Sequence, residues 1–216
     1  MAYDENFIWP NWPEFLGKQG SAAFVGYGTL INKTSASHSL SEAGEREPVN
    51  AFGVRRIFNF VLEDKNYVDH GGLYKRSNFE NHVATLNVQE TGSNEDIVNG
   101  VLMQVSNDGL DGLAEREAGY DIIPVVYSVI ADAEKVSKAY MFTARQGSPE
   151  IGHRVKDDVL PNESSLETCL AGARDYGGEF LNTWVLHCYL ADGNRLLDND
   201  YYRILIEKIT SQGSGL

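Results

Sequence analysis

Long apolar runs, basic residues and cysteines are all scarce in this chain of 216 residues. No run approaches the roughly 18 to 20 consecutive apolar residues that a spanning helix needs, so a membrane is not an expected partner. Only 18 Lys and Arg stand against 31 Asp and Glu, a formal charge of −13. A field of that sign repels phosphate backbones and anionic lipid surfaces, which argues against nucleic acid as a partner. A small anionic substrate stays compatible, because a local basic group overrides the mean. The two cysteines, Cys169 and Cys188, provide neither a disulfide framework nor metal-ligand spacing, and a reducing cytoplasm is the expected compartment. The stretch MAYDENFIWPNWPEF carries acids where a secretory leader would carry basic residues, and no apolar leader core follows.

Several chemistries lack their residues. Phosphate-loop and dinucleotide fingerprints are absent, and Ser21, Ser164 and Ser165 lie outside any nucleophile-elbow pattern. His38, His70, His82 and His153 are scattered over loop-like sequence without metal-ligand spacing. His187 and Cys188 adjoin on a predicted helix, where neighbouring side chains diverge and cannot form a nucleophile pair. No metal and no organic cofactor is expected.

What is present suits one domain with a real core, at 42% hydrophobic and 23% charged residues. Residues 1–20 suggest an irregular arm anchored by Trp9 and Trp12, residues 21–191 the domain, and residues 192–216 an extension ending in the frayed sequence TSQGSGL. Strand-like segments run from Ala22 to Ile31, Val49 to Leu62, Val83 to Val88, Val98 to Val105, Pro124 to Ile130 and Ser137 to Thr143. Alternation such as Val101, Met103, Val105 is the period-two signature of half-buried strands. The polar stretch EDKNYVDHGGLYKRSNFENH is either a lid or an insertion. Helical periodicity marks Asn107 to Ala118, Glu163 to Tyr176 and Gly178 to Leu190; in the second, Leu166, Cys169, Leu170 and Ala173 form a core-facing stripe. Strands followed by helices make the class α+β.

Two stretches carry chemistry. In FVGYGTLIN a strand-like run is interrupted at Gly26 and Gly28, with Tyr27 between them. Glycine packs nothing and loses much entropy on folding, so the stretch predicts either a bend at a barrel corner or a place where backbone N–H groups near Gly28 to Leu30 meet a ligand. In NDGLDGLAEREAGYDIIPV, Ser106 or Asn107 can cap a helix and Gly119 can end it. Leu110, Leu113, Ala114 and Ala118 share one face of that helix, and Glu117 falls on the same face, with Glu115 and Arg116 turned elsewhere. A carboxylate leaving water without partners loses on the order of several kcal/mol, and the negative helix end adds roughly 0.3 to 1 kcal/mol. Both effects raise the pKa, as suits a general acid or base. The alternative is a frayed helix end with Glu117 in solvent.

Taken together, these stretches resemble the γ-glutamylcyclotransferase-like family, which includes AIG2-like and BtrG-like proteins. GYGTLI is similar to the family's first-strand motif, and GLAEREAGY resembles the segment holding its catalytic glutamate, here Glu117. KAYMFTA looks like the strand whose tyrosine lines the pocket, here Tyr140, although an alternating strand alone would make that residue a core aromatic. LETCLAGARDYGGEF is similar to the late helix, and NAFGVRRIFNF fits the second strand. The resemblance spans roughly residues 22 to 185. It implies a small β-barrel of about six strands with flanking helices. The activity implied is cyclisation of a γ-glutamyl group to 5-oxoproline with release of an amine, amino acid or peptide.

In that frame Glu117 is the general acid/base, and Tyr27, Gly28, Thr29, Leu30 and Tyr140 bind a small-molecule γ-glutamyl substrate; Tyr120 is a further pocket candidate. Homodimerisation stays open. Arg55 and Arg56 face opposite sides of a strand, so at most one serves an anionic substrate group, and a solvated strand surface explains them equally. Cys169 belongs to the core stripe. The loop from Asp64 to His82 and the segment after Ala191 have no family counterpart, which leaves the leaving group open among glutathione, γ-glutamyl amino acids and γ-glutamylamines. The competing readings are a non-catalytic ligand-binding module on the same barrel, and removal of a γ-glutamyl cap from a biosynthetic intermediate.

Overall fold

In the computed structural model, which describes residues 12–40, 45–70, 72–117, 120–147 and 151–211, Gly53 divides what the sequence suggested as a single strand. Its φ of +76° is a conformation that side-chain-bearing residues rarely adopt. The chain bends there without reversing, separating β2 (Arg46–Phe52) from β3 (Val54–Val61). β2 enters a closed barrel with strand order β1 (Ser21–Gly26), β5 (Ile97–Ser106), β2, β6 (Asp121–Val129), β7 (Asp132–Thr143). The barrel thus has five strands where about six were expected, because β3 leaves it for a second sheet. That sheet has the order β8 (Leu160–Pro161), β4 (His82–Glu90), β3, β9 (Cys188–Leu190). Closure occurs where β1 meets β7 in parallel at Phe24 and Tyr140.

β1 is shorter than the alternation suggested. Past Gly26 the chain tightens into a 3-10 turn over Thr29–Ile31, closed by Ile31 N–H on Gly28 O at 3.0 Å and Asn32 N–H on Thr29 O at 3.2 Å. The helix suggested from Gly178 to Leu190 also divides: α5 covers Gly178–Leu186, and Cys188–Leu190 pairs with Arg56 to Phe58 as β9. His187 and Cys188 therefore sit at a helix end and on a strand. Burial raises both cysteine thiols, Cys188 to about 12, which leaves them protonated core groups.

The helices cover the barrel and join it to the second sheet. α4 (Glu163–Arg174) is capped by Asn162, whose Oδ1 accepts from Ser165 N–H at 3.0 Å. Its predicted stripe of Leu166, Cys169, Leu170 and Ala173 is buried. In the stretch suggested as an irregular arm, α1 (Trp12–Gly17) buries Trp12 and Leu16, with Trp12 edge-on to Phe142 at 5.3 Å; Trp9 lies outside the described residues. α6 (Asp200–Ser211), in the segment beyond Ala191, buries Tyr202 and Ile206, and Tyr202 donates to Pro161 O at 2.9 Å. Among the described residues, no helix is long and apolar enough to cross a membrane.

Arg56 corrects the solvated-surface reading of its pair. It is fully buried, donates to Trp184 O at 2.9 Å and to both oxygens of Asn99, and lies 4.6 Å from the Trp184 ring centroid. Burial lowers its pKa to about 10. Arg55, on the other face, pairs with Asp96 at 3.2 Å over the Tyr189 ring. Both are structural cations.

Candidate active site

Two glycines position the site by allowing backbones to approach. Gly172 of α4 lies against Asn32, where an added Cβ would meet Asn32 N at 2.5 Å and Cα at 2.7 Å. Gly112 of α3 (Asn107–Arg116) lies against the Ser39 carbonyl, which a Cβ would overlap. Between them sits α2 (Lys33–Ser37), capped by Asn32 Oδ1, which accepts from Ser35 N–H at 2.9 Å. The Thr29–Ile31 turn and the end of α3 are thereby brought to the same place. Gly26 is needed too, since a Cβ there would meet Leu30 Cβ at 2.9 Å. Gly28 is different: a Cβ would make only ordinary contact with Leu86, at 3.6 Å.

These elements enclose a cavity of about 510 Å³. Tyr27, Gly28, Thr29 and Leu30 line one side and Glu117 another, so five of the six residues assigned to the site from sequence meet there. Tyr140 does not line it. Its ring lies 6.0 Å from that of Phe24 in the barrel wall, and Phe142, two residues further along β7, lines the cavity instead. Tyr120 lines it as well. Among the described residues, the N–H groups of Gly28, Thr29 and Leu30 make no hydrogen bond. Three unengaged backbone donors in succession have the chemistry to accept a carboxylate or a polarised carbonyl oxygen.

Glu117 follows the last turn of α3 as its C-cap residue, its N–H bonded to Leu113 O at 2.9 Å. Its side chain is 15% exposed, so the solvent-reaching alternative does not hold. Oε1 accepts from Arg116 Nε at 3.1 Å, while Oε2 accepts nothing among the described residues. Burial raises the carboxyl pKa above its ordinary value, and Arg116 partly offsets the rise. Burial also raises Tyr27, Tyr74 and Tyr120, so these phenols stay neutral donors or acceptors. Tyr27 donates to Phe142 O at 2.8 Å, and Tyr74 to Thr29 Oγ1 at 3.3 Å.

Three lining features were not legible. Arg116 was expected to turn away, since successive helical side chains diverge by about 100°. But Glu117, at φ −100° and ψ 27°, has already left the helical rotation, and the two side chains converge. Tyr74, Leu73, Asn66 and Lys65 come from the polar 63–82 loop, which forms a wall of the cavity. Arg154 arrives from beyond β7, held on Val61 O and Glu63. No spacing in sequence connects these positions with Glu117. Among the described residues, no group of three or more His, Cys, Asp or Glu is disposed to hold a metal.

The sequence matches no protein-family model and no curated protein. Solved structures do match. A γ-glutamyl cyclotransferase superposes with a TM-score of 0.51 at 13% identity, over 87% of this chain and 99% of that one. An uncharacterized protein from Homo sapiens superposes equally, with a TM-score of 0.51 at 14% identity over the same shares. The chain therefore has the γ-glutamylcyclotransferase-like fold.

Proposed function

We propose that the chain is a γ-glutamylcyclotransferase acting on a small γ-glutamyl compound. The observation that carries this reading is Glu117, a half-engaged carboxylate of raised pKa, sharing one cavity with the free N–H groups of Gly28 to Leu30. The fold's likeness to a structure of that activity supports it.

Ring closure is intramolecular, so holding the γ-glutamyl group folded removes much of the entropic barrier. The α-ammonium loses a proton to the Glu117 carboxylate. The freed amine attacks the γ-carbonyl carbon, forming the five-membered ring, and the carbonyl oxygen becomes an oxyanion. Backbone N–H donors near Gly28 to Leu30 stabilise that charge without adding side-chain bulk. The C–N bond to the leaving group then breaks as Glu117 returns its proton to the departing nitrogen. The carboxylate so freed takes the surplus proton from the ring nitrogen and passes it to the released amine, which leaves as its ammonium form. No water is consumed, and 5-oxoproline and a free amine are the products. Arg116, Arg154 and Lys65 line the cavity beside Glu115 and Glu117, which leaves its lining less negative than the protein as a whole.

The test is 5-oxoproline release from glutathione, γ-glutamyl-alanine and γ-glutamyl-lysine, with Glu117→Gln assayed alongside. Glu117→Gln is expected to stay folded, bind substrate and lose at least about 10²-fold in turnover. Full activity in that variant removes Glu117 as the base. A folded, binding wild type that releases no 5-oxoproline from any of the three would favour a non-catalytic binding module.

A further inference from the structure

An arginine lining a cavity of this kind is usually available to a substrate carboxylate. Arg116 is not. Its Nε donates to Glu117 Oε1 at 3.1 Å, and its Nη1 to Ser35 O at 2.6 Å and to Ser39 Oγ at 3.4 Å. Its Nη2 donates to Thr29 Oγ1 at 2.9 Å and to Ser35 Oγ at 3.1 Å. All five N–H groups of the fork are committed to protein, and the side chain is 13% exposed. The guanidinium thus joins the end of α3 to α2 and to the turn whose N–H groups are free.

We propose that Arg116 is a positioning residue: it holds the Glu117 carboxylate and the Thr29 turn in one fixed relation, so that proton acceptor and oxyanion donors address the same substrate. This rests on the cyclotransferase reading. A planar fork fixes its four partner residues at set angles, which a flexible ammonium cannot do. It also supplies the positive charge nearest the carboxylate. The other groups facing Glu117 are Tyr27 just past β1, Tyr74 from the 63–82 loop and Tyr120 beyond α3, all neutral. Arg154 and Lys65 lie along the cavity, each already paired with Glu63 at 2.9 Å and 2.8 Å, and Glu115 and exposed His38 stand at its rim.

The sign follows. Glu117 acts first as a base, so kcat/KM rises with pH as its carboxyl deprotonates. Arg116 favours the carboxylate, and its loss moves that rise to higher pH. An opposite charge at this range shifts a carboxyl by about 1 to 3 units, so Arg116→Gln should move the acidic limb of kcat/KM up by that amount. Arg116→Lys keeps the charge and loses the fork. Its limb should stay in place while kcat falls about tenfold, with KM changing less than about threefold, because the residue does not touch substrate. An unmoved limb in Arg116→Gln overturns the proposal. So does a rise in KM at constant kcat in either variant, which would make Arg116 a substrate clamp. If Arg116→Gln does not fold, the kcat-against-KM split in Arg116→Lys still decides.

Titrating the Glu117 carboxyl carbon by NMR, without substrate, separates this proposal from the reading beneath it. An upward shift in Arg116→Gln together with no turnover of any γ-glutamyl compound refutes the cyclotransferase reading and keeps the Arg116–Glu117 coupling. Turnover together with an unshifted carboxyl refutes the role of Arg116 alone.

Discussion

Gly172→Ala tests whether α4 sets the position of the donor turn. The added Cβ would stand 2.5 Å from Asn32 N, and ordinary contact begins near 3.4 Å, so the two backbones must separate by about 0.9 Å. Asn32 both closes the Thr29 turn, through its N–H on Thr29 O, and caps α2 through its side chain. Displacing it therefore moves the donors themselves. Overpacking of this kind costs about 1–3 kcal/mol, and alanine's better helix propensity returns about 1 kcal/mol. A net loss of up to about 2 kcal/mol is expected in denaturant melts. A misplacement of the order of 1 Å can lower turnover roughly 10²-fold, or about 2.7 kcal/mol in activation free energy. Turnover should thus fall more than stability. Gly178→Ala is the control: nothing lies within 4 Å of its Cβ position, and neither quantity should drop. Melts and 5-oxoproline rates on the three proteins decide. A Gly172→Ala protein as stable and active as the wild type would refute the close approach. Lost stability with unchanged turnover would mean that α4 yields and the turn does not.

Two further outcomes follow from the placement of single residues. Arg56→Ala should cost more than about 3 kcal/mol in a denaturant melt, because it empties a buried volume and leaves the Trp184 and Asn99 carbonyls without their donor. Arg55→Ala, breaking a partly exposed pair with Asp96, should cost about 1 kcal/mol or less, and equal losses would contradict the assignment. Tyr140→Phe should leave kcat/KM within about threefold of wild type, under about 0.7 kcal/mol, since Tyr140 lies outside the cavity lining; a loss near 10²-fold would return it to the site.

Features set by local periodicity were legible. Leu166, Cys169, Leu170 and Ala173 recur at helical spacing and are all buried, and Val101, Met103 and Val105 alternate on β5 and are buried with exposed Gln104 and Ser106 among them. The same arithmetic put Glu117 on an apolar face, and the carboxylate is indeed held from solvent. Tyr140 shows the limit of the resemblance: the family strand placed it in the pocket, whereas alternation alone made it a core aromatic, and it packs beside Phe24 while the cavity is met at Phe142.

What the sequence by itself determined, then, is the alternation and helical stripes of the α+β fold, the glycine interruption after β1 and the solvent-shielded carboxylate at the end of α3. Each depends on neighbours within two turns of chain. The tertiary structure alone decided that Gly53 sends β3 into a second sheet, that Arg56 is buried and that the 63–82 loop closes one side of the cavity. It also decided that Arg116 ties Glu117 to Thr29, a contact spanning 87 residues. The physical reason is that a long polar side chain or a loop takes its place from whichever backbone atoms a distant packing contact presents. Here the contacts of Gly172 with Asn32 and of Gly112 with Ser39 do the presenting, and nothing in the local spacing of residues specifies them.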